Sequence, residues 1–176
     1  MKKINILDQI TAEDAFVILK IIVKEDKQIE KKIEQIAKKY LSEIDLDSIA
    51  EEVYSDLNFL DVEELWDSSG STRFGYIDPS ERAWEMFVEA LESFIDEFKK
   101  YRKLSMYKEA KIYCMGILKG IYRYEKESTS EFKDWAVDAP CEYFRNIKDE
   151  WEKEQNNTKD ITEMNDFIKI NFPEWS

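Results

Sequence analysis

Apolar residues recur at intervals of three and four along almost the whole chain, and no stretch of strand length alternates apolar with polar positions. Only four glycines and three prolines punctuate 176 residues. A strand repeats every two residues and a helix every 3.6, so this spacing restricts the chain to an all-α fold. With 43% hydrophobic and 37% charged residues, there is material for a core and for a wetted surface. A chain of this length buries roughly two thirds of its unfolded surface as one domain, without disulfides or metal.

The caps mark out the helices. Thr11 with Asp14 forms a capping box that opens a first helix to about Glu25, with Ala15, Ile18, Leu19 and Ile22 as its core stripe. Asp26 caps a second helix carrying Ile29, Ile33, Ile36, Ala37, Tyr40 and Leu41. Asp45 or Asp47 starts a third through Leu57, and Asp61 a short fourth with Leu65 and Trp66. Residues 68–77 gather small polar residues and two glycines and read as the longest mid-chain loop. Asp78-Pro79 then opens a long helix to about Lys103, proline being tolerated where its missing N–H goes unused.

Ser105 is the expected cap of the next helix, which spaces Gly116 and Gly120 one turn apart. Each glycine costs a soluble helix about 1 kcal/mol relative to alanine, so a second backbone is expected to approach closely there. From Ser130 to Glu154 a helical pattern is interrupted by Pro140, giving either a kinked helix or two abutting ones. After the linker 155–157, a last helix runs from Asp160 to about Asn171. Of the five tryptophans, Trp66, Trp84, Trp135 and Trp151 fall on apolar stripes and are expected in the core, Trp175 outside it. The expected architecture is about four antiparallel helix pairs, as an α-solenoid or an irregular bundle. It forms a single domain 1–176, with 1–67 and 78–176 as sub-halves about the loop 68–77.

Much chemistry is excluded by one absence. The chain has no histidine, which removes Ser-His-Asp and Cys-His nucleophile systems, histidine-containing zinc sites and Glu-x-x-His di-iron bundles. Cys114 and Cys141 are too few and too far apart for a zinc site or a disulfide framework and read as small buried hydrophobes. The apolar run 15–23 is broken by Lys20 and falls short of the roughly 20 residues that cross a bilayer. No apolar secretory stretch follows Lys2 and Lys3. The expectation is a cytoplasmic protein without membrane contact, catalytic residues, metal or cofactor.

From Phe74 onward, the series Phe74-Gly75-Tyr76-Ile77-Asp78-Pro79, Ala83, Tyr107-Lys108-Glu109-Ala110 and Ile117-Leu118-Lys119-Gly120-Ile121-Tyr122 resembles the tetratricopeptide-like helical repeat regions that accompany SWIM-type zinc fingers in bacterial and archaeal proteins of unknown function. The resemblance extends loosely back to about Ile10. It implies a helical scaffold with no catalytic residue to carry over, and the zinc-finger ligands of that family are absent from this chain.

Charge is distributed unevenly. The net charge is −13, yet Glu43 to Glu97 alone carries 17 Asp and Glu against Arg73 and Arg82. Phe98 to Lys133 sums to +6, Met1 to Ser42 to +2, and the remainder to −6. On the long helix, Glu81, Glu85, Glu89, Glu92 and Asp96 follow helical steps and form one stripe. Like charges so spaced cost a few tenths of a kcal/mol per pair, so helix stability does not explain the row. It is either a solvated face, neutralised in part by Lys108, Lys111, Lys119, Arg123 and Lys126 of an antiparallel neighbour, or a docking surface for a basic protein.

Arg73, Phe74 and Tyr76 are a candidate binding loop, their alternative being aromatics folded back into a core. Direct nucleic-acid binding is disfavoured, because a phosphate backbone would be repelled. The leading expectation is a non-enzymatic helical interaction module. Two alternatives stand beside it. One is an all-α Mg²⁺-dependent nucleotide hydrolase using the pairs Glu89/Glu92 and Glu131/Asp134, and the other an acidic nucleic-acid mimic.

Overall fold

The computed structural model describes residues 6–73, 75–153, 155 and 157–175. They are all-α apart from one small hairpin, as the periodicity requires. Contacts divide the chain into two compact units, Met1–Glu43 and Ile44–Ser176, so the segment 68–77 lies inside the second unit. Among the described residues no helix is long and apolar enough to cross a membrane.

The first unit holds a 3-10 turn, Ile6–Gln9, and two packed helices, α1 (Ala12–Glu25) and α2 (Lys27–Leu41). Both starts are as expected. The Thr11 side chain accepts from the Asp14 amide while Asp14 Oδ2 accepts from the Thr11 amide, completing the capping box. Asp26 Oδ1 accepts from the amides of Gln28 and Ile29. The expected core stripe of α1 is not realised, because neither helix buries a single residue. Two helices alone have too few faces to enclose a side chain.

The second unit is organised around α6 (Tyr107–Glu127), which packs against α3 (Leu46–Asn58), α5 (Pro79–Lys103), α7 (Ala139–Lys153) and α8 (Thr158–Asn171); α4 (Val62–Ser68) packs on α5. The tightest approach falls where the two glycines predicted it. A Cβ on Gly116 would stand 2.8 Å from Ile49 Cβ, and one on Gly120 2.5 Å from Val53 Cβ and 2.8 Å from the Ala50 carbonyl oxygen. The glycines therefore let α3 lie against the backbone of α6. Around this contact the core gathers Leu57, Leu65, Phe87, Phe98, Ile117, Phe132, Phe144 and Trp151, all almost completely buried, together with Cys114.

Several local expectations are corrected. Residues 68–77 are not all loop: β1 (Gly70–Thr72) and β2 (Gly75–Ile77) pair antiparallel, with Ser71 opposite Tyr76. Three-residue strands are too short to show an alternation. Ser105 does not cap α6, whose N-cap is Met106 without a side-chain bond. It instead closes α5 in the left-handed region at φ 58°, with its N–H donating to the Arg102 carbonyl and the Met106 N–H to that of Tyr101. That pair of bonds is a Schellman closure, a role usually given to glycine.

The Pro140 segment is a 3-10 turn, Glu131–Asp134, followed by α7, in whose first turn proline sacrifices no hydrogen bond. Asn157, expected in the linker, is the N-cap of α8. Trp175, expected outside the core, is half-buried and lies edge-on to Phe144 and Tyr122, with ring centroids 5.0 and 5.1 Å apart. Trp66 is 51% exposed and meets the half-buried Trp135 at its edge.

Candidate interaction face on α5

Asp78 caps α5 by accepting from the Ser80 amide, and Pro79 occupies the first turn. Ala83, Phe87, Leu91, Phe94 and Phe98 turn one side of the helix into the core, which sets the side carrying the carboxylates outward. Glu81, Glu85, Glu89, Glu92 and Asp96 are all exposed.

Their neutralisation differs from the arrangement in which α6 supplies the cations. Lys119 donates to Asp47 at 2.6 Å and Arg123 to Glu51 at 2.7 Å, both on α3. Lys126 pairs with Glu174 beyond α8, and Lys111 bridges Asp160 at 2.5 Å and Glu163 on α8. Four of the five basic side chains of α6, Lys111, Lys119, Arg123 and Lys126, are thus engaged on α3 and on the C-terminal segment.

The stripe receives one cation from its own helix. Arg82 donates to Glu89 through both terminal nitrogens, at 2.9 and 3.2 Å, and to Glu85 at 3.1 Å, while its Nε donates to Ser68 Oγ at 3.2 Å. Every donor-bearing nitrogen of that guanidinium is therefore committed. Glu81, Glu92 and Asp96 form no ion pair among the described residues. Two tyrosines near α5 are raised chiefly by their own burial, with neighbouring carboxylates adding to it. Burial pushes the Tyr113 phenol up to about 12, and Glu97 of α5 and Glu52 of α3 add to the rise. Burial also raises that of Tyr143, to which Glu150 and then Glu92 contribute.

The other sequence candidates lie apart from any built site. Arg73 and Tyr76 stand exposed on the hairpin, Tyr76 at 69%, so that side chain does not plug a core; Phe74 lies outside the described residues. Glu89/Glu92 and Glu131/Asp134 occupy α5 and the 3-10 turn, and among the described residues no three carboxylate or cysteine side chains converge in a metal-binding group. Cys114 is fully buried, and burial raises its thiol well above the usual range. No family model, curated protein or solved structure matches this chain.

The Lys111 bridge was not legible from the sequence, since its partners lie 49 and 52 residues away. Burial opposes the charge of Lys111, but the hydrogen bonds to Asp160 and Glu163 outweigh it and hold the amine above its ordinary value. Glu163 is held below its ordinary 4.5, first by the Lys111 hydrogen bond and then by its charge. A depressed carboxyl stabilises the fold above its unfolded value, and that contribution is lost as the pH falls through the folded one. Glu163→Gln is accordingly expected to flatten the decline of melting temperature below pH 4.5. Thermal scans of both proteins across the acid range check this, and parallel curves would exclude the bridge as a contributor.

Proposed function

We propose that this chain is a non-enzymatic, cytoplasmic helical interaction module whose α5 face takes a basic protein partner. The observation that carries the reading is the commitment of Lys111, Lys119, Arg123 and Lys126 of α6 to α3 and to the C-terminal segment, which leaves Arg82 as the cation paired with the five α5 carboxylates among the described residues. A helix that holds like charges at its surface against their mutual repulsion gains when a cationic surface relieves it. Such complementarity acts chiefly on association rate and partner choice, and it weakens as salt screens beyond a Debye length of about 8–10 Å.

A fluorescent lysine-rich helical peptide serves as the probe. Glu85→Lys/Glu89→Lys/Glu92→Lys is expected to weaken its binding at least about tenfold, equivalent to about 1.4 kcal/mol. A control of identical charge change on exposed positions of α7 and α8, Glu142→Lys/Asp149→Lys/Asp166→Lys, is expected to stay within about twofold. Equal weakening by both triple variants would reduce the attraction to net charge and overturn the assignment to α5.

A further inference from the structure

The helical pair α1–α2 poses a different problem from the acidic face. It is specified strongly, by a complete capping box and a doubly bonded N-cap, yet none of its described residues is buried. Helices of 14 and 15 residues are marginal on their own in water. A unit of 43 residues lies near the size at which oligomerisation, metal or disulfides become necessary. The free cysteines both lie elsewhere, and within this unit two helices leave much of their apolar surface uncovered.

The exposed material is large. Eight big apolar side chains on α1 and α2 are between 38% and 76% exposed, among them Phe16 at 57%, Val17 at 55%, Ile21 at 50% and Ile36 at 60%. At roughly 150–200 Å² for a large side chain, they leave on the order of 700 Å² of apolar surface in water. That exceeds the usual patch on a monomer and approaches the ~800 Å² that one partner gives a standard interface. In α1 the apolar residues Phe16, Val17, Ile18, Leu19, Ile21 and Ile22 surround the helix on more than one side. A helix apolar around most of its circumference is a buried helix. One neighbour, α2, covers only part of it.

Charge selects the occupant. Met1 to Ser42 is nearly balanced at +2, while residues 43–176 carry −15. Two copies of so acidic a chain meet with least repulsion through this unit. Both signs are interleaved on α2, with Lys27, Lys31 and Lys32 beside Glu30 and Glu34, so a twofold axis can set each sign against its opposite. An anionic lipid surface would attract the lysines of α2 but repel the rest of the chain.

We infer that α1 and α2 are a homodimerisation element, in which the hairpins of two chains close into a four-helix bundle with α1 in its interior. The full-length chain is expected to show twice the chain mass by light scattering and sedimentation at micromolar concentration. Val17→Glu/Ile21→Glu puts two unpaired charges into the interface and is expected to weaken dimerisation at least ~100-fold. Val137→Glu/Ile170→Glu, at still more exposed apolar positions of the second unit, is expected to leave it intact. If the α1 variant unfolds its hairpin on dissociating, far-ultraviolet circular dichroism records a loss of helix that follows monomer concentration; this coupling supports the proposal as well. A wild-type chain that is monomeric at 100 µM, a dimer indifferent to the α1 variant, or flotation of monomer with phosphatidylserine vesicles would each overturn it. None of these outcomes bears on the peptide-binding test of α5.

Discussion

Trp151→Ala is expected to cost about 4 kcal/mol, within the 3–5 kcal/mol range for truncating a buried large aromatic. The side chain is fully enclosed on α7, the helix that packs along α6, and no smaller residue could collapse into the space without moving one of those helices. For a chain of this size, that loss lowers the melting temperature by roughly 10 °C or more. Trp151→Phe separates volume from polarity. The indole N–H is buried without a protein acceptor, so phenylalanine forfeits no hydrogen bond and removes a polar group whose burial is costly. A loss of about 1–2 kcal/mol, from reduced volume alone, is expected. Urea unfolding of the three proteins measures both values; equal costs for the two variants would mean that the N–H has a partner in the folded state.

Gly120→Ala is expected to destabilise the protein by about 1 kcal/mol, and by up to about 2 kcal/mol, the reverse of what alanine does at an ordinary helix position. Relief from glycine's helix penalty contributes about 1 kcal/mol in favour of the variant. Against it stands a new Cβ placed 2.5 Å from Val53 Cβ and 2.8 Å from the Ala50 carbonyl oxygen, neither of which is the free end of a flexible side chain. The α3 and α6 backbones must separate, and overpacking of that kind costs about 1–3 kcal/mol, occasionally more. Gly116→Ala, where the nearest approaches are 2.8 and 3.1 Å, is expected to cost less. In a Val53→Gly background the part of the Gly120→Ala penalty set by the Val53 side chain should vanish while the approach to the Ala50 carbonyl remains, a coupling that a double-mutant cycle reads directly. Stabilisation by Gly120→Ala in the wild-type background would show that the two helices do not depend on this close approach.

What was legible in the sequence follows a consistent physical line. Thr11, Asp26, Asp45, Asp61 and Asp78 act on amides two or three residues away, and their caps are where the residue types placed them. Gly116 and Gly120 announced a close approach because glycine in a helix interior requires a reason. Ser105 misled, since a serine before a helix reads as its cap, and only the closure of the preceding helix shows it filling a left-handed position. The α1 stripe misled for another reason. Periodicity identifies which face of a helix is apolar but not whether anything covers it.

The acidic stripe on α5 was legible as a stripe, because a period of 3.6 places Glu81, Glu85, Glu89, Glu92 and Asp96 together whatever surrounds them. Its electrical environment was not. Lys119 and Arg123 reach α3 across 72 residues of sequence, and Lys111 reaches α8 across about 50, pairings set by which helices lie side by side. By itself the sequence determined the helical class, the capped starts of α1 to α5, the absence of imidazole chemistry and the row of carboxylates, since each depends on residue identity or on neighbours within one or two turns. Tertiary structure alone decided which cations were consumed elsewhere and which apolar faces stayed uncovered, because both depend on contacts between residues far apart in the chain.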